Sequence, residues 1–412
     1  MKENTYKTIE SLYVMLLSKQ TTRIQPTLVP VTHAYEALSH YISRCGFSQP
    51  RYIQILGTNG KGSTSVYIAN LAYKHGVNVG LFTSPHIVSI TERILINGEM
   101  CTQDEWLEAV RIVEHICDTR ELLFFEYIFL LSIYIFSSKN VEIAVMEAGL
   151  GGKYDATSIL PHCIQCFTPI DLDHEHILGR TYRAIAEQKA GAIQKNSIVL
   201  SAPQKEEVKD VLCKFAPQDI IFSNKTIKYT LSLQGKHQSI NASLAYLAWS
   251  HMCHMLSIGC VESYVEEIYR ETYFLGRMEE IVLSGNTRLL LDGAHNCAGL
   301  EALYKYCETR EIKAIFYSTV YRESIQETVT WVHKIARGTP IYYFTIDSPR
   351  AVSYEDILQY DTSYIHCPSL RATIEMVCAN NIKGDILLCG SLYFIGYFFK
   401  EFPEYYRFRI KK

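Results

Sequence analysis

The sequence predicts an α/β protein of two domains, a larger one on a mostly parallel sheet and a smaller, doubly wound one after it. Three observations carry this. Residues 51–86 read as strand, glycine-rich turn, helix and strand, the pattern of a βαβ unit. Several apolar runs of strand length in the first half end directly on polar residues able to do chemistry. From residue 288 onward short apolar runs alternate again with helical stretches. A chain of 412 residues is long enough for two such cores.

In order, residues 5–46 read as two helices separated by a Pro-containing loop at 25–31. Residues 52–56 are a buried strand, the turn Gly57-Thr58-Asn59-Gly60-Lys61-Gly62-Ser63 opens a helix, and residues 77–83 return as a strand parallel to the first. Residues 94–98 suggest a hairpin, and 103–117 an amphipathic helix with Thr102 as N-cap. Residues 122–137 are strongly apolar but shorter than a membrane span and interrupted by Glu126 and Ser132, so a buried helix is expected. Strands follow at 141–146, 163–170 and 198–201, with a helix at 182–189 stopped by Gly191. A helix begins in 235–250, another covers 261–269, and 272–277 is the expected linker. In the second domain the strands are 288–291, 314–317, 341–346, 364–367 and 386–389, and helices occupy 298–307, 324–336 and 370–379.

The glycine turn lies at a helix N-terminus, where backbone N–H groups and the helix dipole favour an anion. Lys61 adds a full positive charge there and Ser63 a hydroxyl. The spacing departs from G-x-x-x-x-G-K-[ST], because Ile55 stands at the first glycine and the hydroxyl comes one residue late. In an open parallel sheet ligands bind beyond the carboxyl ends of the strands. The turn 57–63, Ser84, Glu147 and His174 each lie just past such an end, so four strands are expected to deliver them to one edge. Glu147 and Ser84 suit Mg²⁺, which takes oxygen ligands and shares itself with substrate phosphates; His174 is a less usual third ligand.

Composition excludes several classes. A net charge of −3 argues against a nucleic-acid partner held through phosphates. Thirteen cysteines include one C-x-x-C spacing, Cys163 and Cys166, without a second pair, so buried thiols are expected rather than zinc. A polar start without a secretory core, and no membrane-length segment, point to the reducing cytoplasm and to no membrane partner.

The string Gly57-Thr58-Asn59-Gly60-Lys61-Gly62-Ser63-Thr64 followed by Thr83-Ser84-Pro85-His86 resembles the ATP loop of the folylpolyglutamate synthase and dihydrofolate synthase family of Mur-type amide ligases. Further blocks extend the resemblance over residues 57–396. Residues 147–157 (EAGLGGKYDAT) are similar to the family's E-V-G-L-G-G-R-L-D-A-T, and Asp173-His174 with Leu178-Gly179 to D-H-x-x-x-L-G. Ile185-Ala186-Glu187-Gln188-Lys189-Ala190-Gly191, Gly235-x-His237-Gln238-x-x-Asn241, Gly276-Arg277-x-Glu279, Leu291-Asp292-Gly293-Ala294-His295-Asn296 and Gly390-Ser391-Leu392-Tyr393 recur in the family's order.

The resemblance implies a P-loop ATPase-type domain at 1–271, a linker at 272–277 and a Rossmann-like glutamate-ligase domain at 278–412. It implies that Asn59, Gly60, Lys61, Gly62 and Ser63 hold ATP phosphates, and that Asn241, Arg277, Asp292 and His295 complete the nucleotide site. Ser84, Glu147 and His174 would bind Mg²⁺, with room for a monovalent cation. Lys61 and His174 would serve catalysis, and Lys189 matches the lysine that the family carries as a carbamate. Phe124, Phe125, Glu126, Tyr154, Asp155 and Ala156 match segments lining the pterin pocket. The implied activity joins L-glutamate to dihydropteroate or to reduced folate, in a monomer.

Departures from the family pattern are Leu275 before Gly-Arg, Cys297 after His-Asn, Gln188 before the carbamate lysine, and Tyr321-Arg322-Glu323 near the family's D-K-D. The rival readings are a Mur-type cell-wall ligase, a P-loop kinase or GTPase, and a non-catalytic nucleotide-binding module. The first lacks these folate-type blocks. The second needs no second α/β domain, and the chain carries no N-K-x-D guanine signature. The third leaves the metal and phosphate groups without a purpose.

Overall fold

The computed structural model describes residues 7–19, 25–216, 219–223, 227–284, 287–322, 324–379 and 384–410. The chain forms two compact units, neither continuous in sequence. The first takes Met1–Ile170, Tyr182–Lys228 and Asn241–Ile268; the second takes Asp171–Thr181, Tyr229–Ile240 and Tyr269–Lys412. The segments 171–181 and 229–240 therefore pack with the second unit, although both precede the linker expected at 272–277.

In the first unit α1 (Ile9–Ser18) and α2 (Val29–Arg44) precede β1 (Arg51–Leu56), α3 (Lys61–Lys74) and β2 (Val79–Phe82). Helix α2 starts inside the expected loop because Pro30 falls in its first turn, where a missing N–H and a fixed φ cost nothing. The hairpin β3 (Ile94–Ile96) and β4 (Glu99–Met100) turns on Asn97 and Gly98, both at positive φ. Helix α4 (Gln103–Ile116) carries a capping box between Thr102 and Glu105. Helix α5 (Phe124–Ser138) is buried from Glu126 to Ser137. It joins the apolar faces of α1, α2 and α4 in one core cluster that includes Trp106 and Phe129. Among the described residues no helix is long and apolar enough to cross a membrane.

Strands β5 (Ile143–Glu147) and β6 (His162–Phe167) are followed by the short α6 (Glu175–Leu178), then α7 (Tyr182–Ala190), β7 (Ile198–Ser201), α8 (Glu206–Phe215), β8 (Ile221–Phe222), α9 (His237–Leu256) and α10 (Glu262–Glu271). The described strands order as β4-β3-β2-β5-β1-β6-β7-β8. Along β2-β5-β1-β6-β7-β8 every pairing is parallel; β3 is antiparallel to both β2 and β4. Strands β1 and β2 are thus parallel, as a βαβ unit demands, with β5 inserted between them.

The second unit contains β9 (Glu279–Ser284), β10 (Thr287–Asp292), α11 (Cys297–Cys307), β11 (Ile312–Tyr317), α12 (Ile325–Ala336), β12 (Ile341–Tyr343), α13 (Tyr354–Ile357), β13 (Ile365–His366), α14 (Leu370–Ala379), β14 (Gly384–Cys389) and α15 (Leu392–Glu401). Its strand order is β13-β12-β11-β14-β10-β9, parallel except for β9 against β10.

Candidate active site

Strands β2, β5, β1 and β6 are neighbours and parallel, so their carboxyl ends share one edge of the first sheet. The loop after β1 is shaped by contact. Gly57 has φ +135°, and a Cβ there would meet Thr168 Oγ1 at 1.9 Å. The amides of Thr58 and Asn59 donate to the Pro169 carbonyl beyond β6, at 3.0 and 3.3 Å. Gly60, at φ +90°, is the N-cap of α3 and supplies no side chain to cap it. A Cβ on Gly60 would lie 2.2 Å from Asn241 Oδ1, so Asn241 of α9 rests on the loop itself. Lys61 opens the helix, and its Nζ donates to the Thr58 carbonyl at 3.0 Å. Ser63 is buried one turn in.

Glu147 is the last residue of β5 and is 3 % exposed. Its Oε2 accepts from the Thr83 hydroxyl and from the Ser84 amide, the latter at 2.9 Å. Ser84 and Glu147 thus come together in the first unit. Lys189, near the end of α7, is 4 % exposed and donates Nζ to the Gly57 carbonyl at 2.7 Å. The amine assigned to a carbamate therefore sits beneath the glycine loop.

Of the residues assigned to the acceptor, Phe125 and Asp155 both reach the loop after β5 at Gly149. Phe125 packs so closely on the loop after β5 that a Cβ on Gly149 would lie 2.9 Å from its ring. Phe124 carries the Arg93 guanidinium over its ring at 5.4 Å, and Arg93 Nε donates to His86 Nδ1 at 2.9 Å. Tyr154 is exposed, with Lys153 Nζ 5.1 Å above its ring, and Ala156 is buried. The two carboxylates here hold backbone. Glu126 Oε2 accepts from the Leu123 amide at 2.9 Å and so caps α5. Asp155 Oδ2 accepts from the Gly149 and Leu150 amides at 2.8 and 3.0 Å, and Oδ1 from the Thr157 amide and hydroxyl at 3.0 and 2.6 Å. Burial pushes the Asp155 carboxyl up, and these four donors act against it.

In the second unit β11, β14 and β10 are parallel neighbours, and their ends deliver a further set. Asp292 closes β10 and holds the turn after it, accepting from Met278 and Ala294 amides at 2.8 Å each. Arg277 lies over the Phe274 ring at 5.5 Å and beside Gly293. His295 Nδ1 is 2.8 Å from the Gly293 carbonyl, and Nε2 is 3.7 Å from Asp173 Oδ2. Asn296 Nδ2 donates to the same oxygen at 2.8 Å. Burial opposes ionisation of Asp173, but the His295 and His174 imidazoles and the Asn296 amide hold its carboxyl well below the usual range. His174 belongs to this group, with Nε2 4.0 Å from Asp173 Oδ1 and φ +53°. The structure thus groups His174 with the second unit, and Ser84 and Glu147 with the first.

Arg322 follows β11 and was given no role by motif matching. Its Nη1 donates to the His295 carbonyl at 2.6 Å, while Nε is buried with no hydrogen-bond partner among the described residues. Glu323, the third residue of that departure, lies outside the described residues.

Among the described residues no cluster of three His, Cys, Asp or Glu side chains could hold a metal alone. A carboxylate and hydroxyls beside a phosphate loop still fit Mg²⁺, because it draws its remaining ligands from water and phosphate oxygens.

No family model matches the chain. Curated relatives do. The dihydrofolate synthase/folylpolyglutamate synthase of Bacillus subtilis (strain 168) is 29% identical over 393 residues, covering 84% of this chain and 89% of that protein. The protein of the same description from Buchnera aphidicola subsp. Baizongia pistaciae is 32% identical over 349 residues, covering 81% of this chain and 82% of its own. The chain belongs to the dihydrofolate synthase/folylpolyglutamate synthase family. The fold agrees with this family. E. coli FolC in complex with DHPP and ADP superposes with a TM-score of 0.84 at 20% identity, over 98% of this chain and 99% of that one. Mycobacterium tuberculosis folylpolyglutamate synthase complexed with ADP and AMPPCP gives 0.83 at 21% identity, over 96% and 98%. Within the family's blocks, the carboxylates Glu126 and Asp155 hold backbone amides here, a role that motif position alone did not suggest.

Proposed function

We propose that the chain is an ATP-dependent amide ligase that joins L-glutamate to dihydropteroate, and to reduced folate polyglutamates as further acceptors. One observation supports it above the others: in a member of this family, a glycine loop at a helix N-terminus shares a sheet edge with a buried carboxylate and an aromatic loop. The acceptor carboxylate attacks the γ-phosphorus of ATP, giving an acyl phosphate and ADP. The glutamate amine then attacks the acyl carbon and inorganic phosphate leaves.

For the first step the chain supplies position and charge. The α3 N-terminus and Lys61 receive the phosphates, and Asn59, Gly60, Gly62 and Ser63 line their path. Magnesium held by Glu147 and Ser84 would offset charge on the triphosphate. Asn241, Arg277, Asp292 and His295 are assigned to the nucleotide, Asp292 by fixing the turn that carries His295. A carbamate on Lys189 would keep one N–H for the Gly57 carbonyl and add an anion under the loop. Phe124, Phe125 and Tyr154 supply the aromatic surface a pterin needs. The Arg322 guanidinium, whose buried Nε has no partner among the described residues, is assigned to one carboxylate of the incoming glutamate, since a guanidinium binds such a group at two points. A cytoplasmic monomer is the proposed form.

Product masses after incubation with ATP, L-glutamate and either dihydropteroate or tetrahydrofolate test this reading. Addition of one glutamate to each acceptor, with ADP release, is the expected result. Lys61→Ala abolishes that release; activity within about tenfold of wild type would remove Lys61 from its role.

A further inference from the structure

Two glutamines interrupt the apolar centres of strands inside the first sheet. Gln54 of β1 and Gln165 of β6 stand in register as neighbours, and both are fully buried. Buried amides are tolerated only when bonded, and these are. Gln165 Nε2 donates to Gln54 Oε1 at 2.7 Å and to the Ala192 carbonyl at 2.8 Å, and its Oε1 accepts from the Gln194 amide at 2.8 Å. Gln54 Nε2 donates to Thr157 Oγ1 at 2.9 Å and to Ser158 Oγ at 2.8 Å. The Thr157 hydroxyl donates to Asp155 Oδ1 at 2.6 Å, and Asp155 Oδ2 gathers the Gly149 and Leu150 amides.

The direction of this chain is fixed from both ends. An ionised carboxylate only accepts, so Thr157 donates to Asp155 and must accept from Gln54. Gln54 must then turn its oxygen to Gln165, and Gln165 its own oxygen to Gln194. From the far end the Ala192 carbonyl only accepts and the Gln194 amide only donates, which sets the same orientations for Gln165 and Gln54. The chain begins in the loop after β5 and ends just past α7, three residues beyond Lys189. A separate bond, Lys153 N to the Gln188 carbonyl at 2.8 Å, ties the same two segments. The glycine loop, by contrast, is held through Pro169 and Lys189 without any member of the chain.

We propose that Gln54 and Gln165 are positioning residues that set loop 149–157 against the Lys189 segment, so that the acceptor acid, rather than ATP, depends on them. This rests on the reading that loop 149–157 faces the acceptor. A directed hydrogen-bond chain gives one loop geometry where packed apolar side chains would give several.

The test compares Thr157→Val, Thr157→Ser and Gln54→Met with wild type, following ADP release with dihydropteroate and glutamate. Thr157→Val breaks the chain without changing shape, Thr157→Ser keeps the hydroxyl, and Gln54→Met breaks it at a second place should Thr157→Val not fold. The expected result is a fall of about tenfold or more in kcat/KM for dihydropteroate in Thr157→Val and Gln54→Met, ATP KM within about twofold, and recovery in Thr157→Ser. Unchanged acceptor kinetics in the folded variants, or an equal loss for ATP and acceptor, overturns the inference. A wild-type chain that releases no ADP with either acceptor overturns the ligase reading itself, and the inference with it.

Discussion

The Lys189 ammonium donates to the Gly57 carbonyl at 2.7 Å, so a residue 132 positions along the chain supports the first glycine of the loop after β1. That carbonyl is buried with its residue, and a buried acceptor left without a donor costs about 1–3 kcal/mol. Lys189→Met is expected to lower turnover by about a hundredfold. Nucleotide affinity, read by titration with ADP, falls less, because the Thr58 and Asn59 amides keep Pro169. Wild-type turnover in this variant would deny Lys189 any part in the reaction.

Glu147→Gln separates charge from shape. The amide oxygen still accepts from the Ser84 amide, so thermal stability changes little. The lost charge weakens magnesium, and half-maximal activity shifts to at least about tenfold more Mg²⁺. Titrating ADP release against Mg²⁺ checks this; an unmoved midpoint would place the metal elsewhere.

Arg322→Ala should raise KM for L-glutamate by about tenfold or more and leave KM for ATP nearly unchanged. Arg322→Lys recovers part of the loss, since an ammonium offers charge without the two-point fork. Equal glutamate KM values in wild type and Arg322→Ala would assign the guanidinium to His295 alone.

Burial pushes the His162 imidazole down to about 4, against 6.5 for an exposed one. The unfolded chain therefore takes up a proton that the folded chain refuses between these values. Stability from this group is fully present above about pH 6.5 and is lost as pH falls toward about 4. Between about pH 6.5 and about pH 5 the loss is about 2 kcal/mol. His162→Gln removes the titration and keeps an N–H for the Thr157 carbonyl, which His162 Nε2 meets at 2.7 Å. Urea midpoints at about pH 7 and about pH 5 should differ less in the variant than in wild type; equal differences would clear His162 of the acid sensitivity.

The sequence made the phosphate loop and the strand ends legible because those signals are local. Gly57 to Ser63 lie within one turn of each other, and the apolar run of β5 stops where Glu147 begins. Helix α8 was overlooked although Val208, Val211 and Leu212 have helical spacing. The contacts of Asp155 and Asp292 were not legible, since a carboxylate in a loop reads alike whether it meets substrate or backbone amides. Nor was the placing of 171–181 with the second unit, which depends on Asn296 and His295 reaching Asp173 from more than 120 positions away. The matched Gln54 and Gln165 left a trace, as each is the lone strong polar residue in an apolar strand centre. Only their register made the trace meaningful.

The hold of Pro169 on the Thr58 and Asn59 amides has a thermodynamic corollary. The loop is preorganised: its ordering entropy is settled when the sheet forms, and a nucleotide bound there would meet a rigid receptor. Amide hydrogen exchange at Thr58 and Asn59 should accordingly be slow in the ligand-free chain, with little further slowing when ADP is added.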